Sequence, residues 1–315
     1  MRCVVTGGAG FIGSNIVGEL LRLGHDVCVV DSLATGNARN LEQVKRRITF
    51  VNGDVRDLSG LREAFRGAEV VFHQAALASV PMSVEDPLLF NDVDATGTLN
   101  VLVAARDAGA RRVVYASSSS VYGATRHIRM HEGLAPNPMV PYAVAKLAGE
   151  HYCRAFTASY GLETVSLRYL NVFGPRQVAR SNYGGVIPMF IVQMLRGQRP
   201  TIFGDGRQSR DFIHVANAVH ANMLAMTTRE GVGKAFNVGS GKRYDLLQLM
   251  AALNRALGTR VEPLFGPPRA GDMRHLVGDT RYAKALLGYQ PVMSFEDGLA
   301  DTVAWFREHL DWYEN

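Results

Sequence analysis

Thr6-Gly7-Gly8-Ala9-Gly10-Phe11-Ile12-Gly13 follows directly on the apolar run Cys3-Val4-Val5 and opens a helix-period segment, Ile12 to Leu23. Glycines at 7, 10 and 13 permit a tight turn and let a pyrophosphate approach the backbone, where helix N–H groups and the helix dipole favour an anion. Glycine-rich turns are common, so context has to decide. A second apolar run, Val27 to Val30, ends at Asp31, where a carboxylate can accept both hydroxyls of a ribose. Ser32-Leu33 supplies no cation for a 2′-phosphate, so the pattern predicts NAD rather than NADP. Phe11 and Ile12 belong to the same turn. Asp54-Val55, after a third run, is placed to hold adenine, and His73-Gln74-Ala75-Ala76, after a fourth, has small residues that would admit the cofactor.

Outward from this turn, short apolar runs alternate with helical stretches. The strands expected are Cys3 to Val5, Val27 to Val30, Ile48 to Val51, Val70 to Phe72, Val113 to Tyr115 and a sixth around Thr164 to Leu167. Between them lie helices over Ile12 to Leu23, Leu61 to Phe65, Leu88 to Ala108 and Tyr142 to Tyr160. Fully apolar short strands separated by amphipathic helices predict an α/β fold, a doubly wound parallel sheet of the Rossmann type. After Asn171 the pattern degrades into Gly-, Pro- and Arg-rich loops with shorter helices. Residues 1–170 are expected to form the NAD-binding domain. Residues 171–315 are expected to form mainly a smaller substrate-binding lobe, with some chain returning to the first.

The 315 residues are 47% hydrophobic and 20% charged, which excludes disorder and disulfide scaffolds. Lys and Arg number 34, giving a net charge of +5, but the densest basic run is only Lys45-Arg46-Arg47 without interleaved aromatics. That argues against nucleic acid; scattered Arg suits a small phosphorylated ligand. The three cysteines lack metal or redox spacing, and Cys3 and Cys28 read as buried free thiols. No signal segment or membrane span is evident, so the expected compartment is cytoplasmic. His127 and His131 lack metal spacing, and Trp305 and Trp312 read as packing residues.

The fifth strand runs into Ala116-Ser117-Ser118-Ser119-Ser120-Val121-Tyr122-Gly123, and Pro141-Tyr142-Ala143-Val144-Ala145-Lys146 opens a helix. Tyr142 and Lys146 are four apart and project from one helical face. An ammonium beside a phenol stabilises the phenolate, as a general base requires. The bland alternative is an ordinary i, i+4 pair on an amphipathic helix; Lys is rare in this chain, and a dinucleotide turn lies upstream.

These segments, together with HQAALASVP, LRYLNVFGPRQ, GDGRQSRDFIHV and RAGD, resemble the extended short-chain dehydrogenase/reductases that act as nucleotide-sugar epimerases and dehydratases, over nearly the whole length. The resemblance implies that Ser118, Tyr142 and Lys146 are catalytic. Tyr142 would take the proton of a sugar 4-hydroxyl, Ser118 would hydrogen-bond that oxygen, and Lys146 would orient the cofactor ribose. It further places Ser117 and Tyr169 at the cofactor, and Asn171 and Phe203 at the substrate. Arg210 and Arg269 become pyrophosphate clamps, Asp272 a uridine-ribose acceptor, and the protein a homodimer through helices around Leu88 to Ala108 and Tyr142 to Tyr160. Two departures stand out: Ala78 where the family often has Lys or Gly, and Asn91-Asp92-Val93-Asp94 where an Asn-rich stretch commonly touches NAD.

Dehydratases and decarboxylases of that family carry an acidic residue beside the catalytic hydroxyl. Ser119 and Ser120 stand there instead, which favours a UDP-hexose 4-epimerase. Ser119, Asn171, Gln177 and Gly185, with Tyr183-Gly184, would surround the sugar C2 substituent, while Leu276 narrows that pocket without barring a substrate. The competing readings are a dehydratase or decarboxylase, a UDP-uronate 4-epimerase, and a dinucleotide-sensing protein that kept the fold without the chemistry.

Overall fold

The computed structural model describes residues 1–125, 127–179, 185–268 and 274–313. Seven strands form one parallel sheet: β1 (Arg2–Thr6), β2 (Asp26–Asp31), β3 (Ile48–Asn52), β4 (Val70–His73), β5 (Arg112–Ser118), β6 (Glu163–Tyr169) and β7 (Lys234–Val238). Their order is β7-β6-β5-β4-β1-β2-β3. Cys3 on β1 pairs with Val27 on β2 and with Val70 on β4, so the winding reverses at β1. The expected strands are all present, each extended by one to four residues.

Strand alternation explains why these runs are apolar on both sides. Cys3, Val5, Val27, Val29, Phe72 and Val114 face one layer, joined there by helix Phe11–Arg22 and helix Val215–Thr227. Val4, Cys28, Val71, Val113 and Tyr115 face the other, against helices Leu58–Ala64, Gly97–Asp107 and Pro141–Tyr160. Each such side chain, fully buried, contributes about 1.5–3 kcal/mol. Cys3, Cys28 and Cys153 are buried free thiols.

Two elements differ from expectation. The helix expected over Leu88 to Ala108 is divided into Pro87–Phe90, a π-helical turn Asn91–Thr96 and Gly97–Asp107. Gly97 lies against Val55 so closely that an added Cβ would sit 2.6 Å from a Val55 methyl. The second is β7, which extends the sheet beyond β6 from deep in the second half of the chain. Its residues Lys234 and Asn237 break the apolar signature that marked the other strands.

A third apolar cluster holds the lobe together, from Phe190 and Ile191 on helix Val186–Leu195, Leu249 and Leu253 on helix Leu246–Leu257, and Phe306 on helix Phe295–Glu308. Short pairings stitch it: Asn171–Phe173 runs parallel to Phe212–His214, and Ser209–Arg210 antiparallel to Tyr244–Asp245. Trp305 stacks on His309 at 4.5 Å and meets Trp312 edge-on, so these aromatics do pack.

Candidate active site

The carboxyl ends of the strands carry the expected residues: Asp31 ends β2, His73 ends β4, Ser118 ends β5 and Tyr169 ends β6. In an open parallel sheet, the crevice at this edge beside the reversal of winding is where ligands bind. The glycine turn is shaped by close approach. Gly7 has φ +68°, and a Cβ on Gly13 would lie 2.1 Å from the Gly7 carbonyl oxygen. Gly10 caps helix Phe11–Arg22 without a side-chain hydrogen bond, leaving the first-turn N–H groups directed at the crevice.

Asp31 holds this turn as well as facing it. Its carboxylate accepts the Ala9 N–H at 2.8 Å and the Leu33 N–H at 2.8 Å, while burial pushes its pKa up. Lone pairs remain for a ribose. A cradle that no side chain could enter, an uncapped helix start and a buried acceptor together fit the pyrophosphate and ribose of NAD.

Other expected cofactor residues divide. Gln74, Tyr169 and Asn222 form a closed set: Asn222 Nδ2 donates to the Tyr169 hydroxyl at 2.7 Å, which donates to Gln74 Oε1 at 3.3 Å. Ala75 donates its N–H to the Thr6 hydroxyl, and Ala76 continues the same edge. Asp54 directs both carboxylate oxygens to Arg56, whose guanidinium holds its pKa down. The Val55 side chain is buried against the Gly97 turn. Ser117, expected at the cofactor, turns its hydroxyl to Glu150 instead, because successive strand residues face opposite ways and Ser118 takes the site side.

The catalytic candidates come together. Helix Pro141–Tyr160 lies along β5, and Lys146, 3% exposed, donates from Nζ to the Ala116 carbonyl at 3.0 Å. The same Nζ lies 5.9 Å from the Tyr142 ring centre. The Ser118 hydroxyl accepts from the Ser120 hydroxyl at 2.9 Å and interacts with the Tyr142 phenol. Burial drives the Tyr142 pKa up, the negative charge of Asp94 adds to that, and Ser118 opposes both. Burial lowers the pKa of Lys146, which Asp94 partly restores.

On the lobe side, Asn171 donates to the Asp211 carbonyl at 3.3 Å, and Gln177 donates to the Val172 carbonyl at 3.2 Å. Gln177 Nε2 lies 3.2 Å from where a Gly185 Cβ would stand, so these two are neighbours. Leu276 packs against the cluster of Val121, Tyr122, Met130 and Leu170, and Ser119 is half-buried. Arg210 is half-buried on its short strand, and Phe203 lies against Gly266. Arg269 and Asp272, with Tyr183-Gly184, lie outside the described residues.

Three features escaped the sequence reading. Glu150 and Arg168 form a buried ion pair, with Nη2 to Oε2 at 2.7 Å, under the serine run. His73 is flanked by Thr6 at Nδ1 (2.7 Å) and Thr98 at Nε2 (2.9 Å), and burial lowers its pKa to about 3. Asp94 is buried beside the catalytic helix. The positions of Asp94, as a departure from an Asn-rich stretch, and of His73, at the head of the HQAALASVP segment, were marked in the sequence, but not these contacts.

Residues 3–239 match the model of the NAD dependent epimerase/dehydratase family. The chain belongs to this family. It is 41% identical to the UDP-glucose 4-epimerase of Mycolicibacterium smegmatis over 312 residues, 98% of this chain and 99% of the relative. A UDP-glucose 4-epimerase of Thermotoga maritima, solved with UDP-glucose, superposes with a TM-score of 0.93 at 38% identity, covering 98% of this chain and 100% of the other. A UDP-N-acetylglucosamine 4-epimerase of Methanobrevibacter ruminantium, solved with UDP-N-acetylmuramic acid, gives 0.93 at 37% identity, covering 98% of each. This family member thus shares its sheet and cofactor turn with enzymes that differ in the sugar they are named for.

Proposed function

We propose that the protein is a UDP-hexose 4-epimerase that keeps NAD through the catalytic cycle. The observation that carries this is the Ser118–Tyr142–Lys146 set at the strand edge, with Lys146 buried, Ser118 and Tyr142 half-buried, a hydroxyl neighbour on Ser118 and, among the described residues, no carboxylate hydrogen-bonded to Ser118. When bound, NAD would supply a hydride acceptor for C4 and a hydride donor for its return. Tyr142 takes the 4-hydroxyl proton, Ser118 holds that oxygen, and Lys146 keeps positive charge near the phenolate that forms. A dehydratase must also remove a proton at C5 and expel the C6 hydroxyl. Asp94 and Glu150 do not serve that step, being turned to Leu77 and to Arg168. The 4-keto sugar then has one exit: to rotate and accept hydride on its other face.

Gly7, Gly10, Phe11, Ile12, Gly13 and Asp31 would hold the cofactor, with Gln74, Ala75, Ala76 and Tyr169 beyond them. The lobe over residues 171–315 would supply Asn171, Gln177, Gly185, Phe203, Arg210, Arg269, Asp272 and Leu276 to the UDP-sugar. Relatives named for UDP-glucose and for UDP-N-acetylglucosamine both support a UDP-sugar substrate. We place the active form as a cytoplasmic homodimer. An exposed apolar face supports the dimer: Val84, Leu88, Met139 and Val144 are all more than half exposed, beside a groove of about 430 Å³ that includes Pro87 and Pro141. Among the described residues no helix is long and apolar enough to cross a membrane.

The test is to supply the purified protein, without added cofactor, with UDP-galactose and separately with UDP-N-acetylgalactosamine, following the C4 epimers by NMR. Interconversion reaching one mixture from both directions is expected. Absence of both epimerisations in protein that carries NAD refutes the assignment.

A further inference from the structure

Asp94 sits on the π-helical turn Asn91–Thr96, a wide turn of a kind that often marks a functional position. It is 1% exposed. One carboxylate oxygen accepts the Leu77 N–H at 2.8 Å, just beyond the Gln74–Ala76 edge of the cofactor crevice. The other, Oδ2, is sealed from solvent and has no hydrogen-bond partner. The backbone of the turn is held in place, because the Thr98 hydroxyl donates to the Asp94 main-chain carbonyl at 2.6 Å and the turn packs on helix Pro141–Tyr160.

An unpartnered buried carboxylate oxygen is costly, so its placement calls for a compensating charge. Lys146 is that charge. The contact is not a direct one: Lys146 Nζ donates to the Ala116 carbonyl, and Asp94 Oδ2 has no hydrogen-bond partner. The two act through a low-dielectric interior, where attraction persists over longer distances than in water. The other titratable groups around Asp94 are Tyr142, on the helix that carries Lys146, and Tyr115 on β5. His73 on β4 connects through Thr98 and is neutral.

We propose that Asp94 is a positioning residue for the base, the buried counter-charge of Lys146 whose negative charge sets the pH range over which the Tyr142–Lys146 pair works. It touches neither sugar nor proton. Its charge favours protonated Lys146 and opposes ionisation of Tyr142, so it moves both groups' titrations towards alkaline pH. Its own pKa is raised to about 6 by burial, which places its ionisation below the operating range of the pair. The proposal rests on the activity proposed above.

Asp94→Asn removes the charge and keeps an acceptor for Leu77. Two readouts are taken, the first from pH 5 to 10 and the second carried above the ordinary tyrosine value of about 10, because burial raises Tyr142. One is the profile of kcat/KM for UDP-sugar epimerisation; the other is the ultraviolet phenolate titration of Tyr142, obtained by difference from Tyr142→Phe. Both limbs of the profile and the phenolate midpoint are expected to move to lower pH by about 1 unit, the usual effect of one nearby charge. Asp94→Ser removes the same charge and must move the titration in the same direction, which guards against a local effect of the amide. A uniform loss of activity with unmoved limbs and an unmoved phenolate midpoint overturns the proposal and leaves Asp94 a structural residue. If the unmodified protein epimerises no UDP-sugar, the proposed activity fails by itself; the phenolate titration, which needs no turnover, still decides the role of Asp94.

Discussion

Gly149→Ala sets helix propensity against packing with opposite signs. Gly149 lies in the middle of helix Pro141–Tyr160, where replacing Gly by Ala stabilises an exposed helix by about 1 kcal/mol. In the folded protein, however, a Cβ at this position would lie 2.2 Å from the Tyr115 hydroxyl oxygen and 2.4 Å from the ring carbon bearing it. That is more than 1 Å short of ordinary contact. Tyr115 cannot yield: its side chain is fully buried and its hydroxyl donates to the Lys146 carbonyl at 3.3 Å. The helix must therefore move off β5. Overpacking of this kind costs about 1–3 kcal/mol or more and outweighs the propensity gain. The same movement displaces Lys146 and Tyr142, and misplacement by about 1 Å at a reacting centre can reduce the rate about 100-fold. Urea unfolding should show a lower midpoint at unchanged slope, and the pH-optimal kcat/KM should fall steeply. A variant more stable than the parent, with its activity retained, would refute the reasoning, since propensity would then have prevailed over contact.

Other expectations follow from the same structure. Tyr142→Phe should lower turnover by about 100- to 10,000-fold while NAD content and unfolding midpoint stay put; unchanged turnover would exclude Tyr142 as the base. Glu150→Ala leaves the Arg168 guanidinium buried without its carboxylate, and unfolding should register a loss of about 3–5 kcal/mol; a loss below 1 kcal/mol would show that the pair is not held in the interior. The Thr98 hydroxyl already donates to the Asp94 carbonyl, so His73 must carry its proton on Nε2 and accept from Thr6 at Nδ1. Nitrogen NMR should find that neutral tautomer at pH 5. Between about pH 3 and 6.5 the unfolded chain binds a proton at His73 that the folded chain does not. Its contribution to stability therefore rises with pH, by up to about 1.4 kcal/mol per unit. Asp94 and Asp211, both raised to about 6, contribute in the opposite sense, favouring the fold at acid pH and losing that as pH climbs towards 6.

The sheet was legible because its cause is local. Apolar runs such as Cys3-Val4-Val5 and Val27 to Val30 leave no polar face, and only a sheet covered on both sides can bury them. The glycine turn was legible for a similar reason, since a spacing that excludes side chains is written into three positions. That Tyr142 and Lys146 share one face followed from helical geometry, while their role rested on the family resemblance. The break at Asn91–Thr96 and strand β7 were not legible. Leu88 to Ala108 has an unbroken helical pattern, and the close approach of Gly97 to Val55 next to the π-helical turn involves a residue distant in sequence. Lys234–Val238 is a strand because β6 offers it an open edge.

At the site, composition and spacing determined which residue types were available: an acid after β2, a serine run after β5, and a tyrosine one helical turn before a lysine. Tertiary structure decided which way each one faces. Ser117 and Ser118 are adjacent and chemically identical, yet one is turned to a buried ion pair and the other to Tyr142, because the pleat of β5 and the approach of helix Pro141–Tyr160 assign them opposite sides. The electrostatic setting of the base was beyond the sequence for the same reason. Asp94 and Lys146 lie 52 positions apart in the chain, and only the packing of the π turn against the catalytic helix closes them in one water-excluded space, where a carboxylate acts on an ammonium it does not touch.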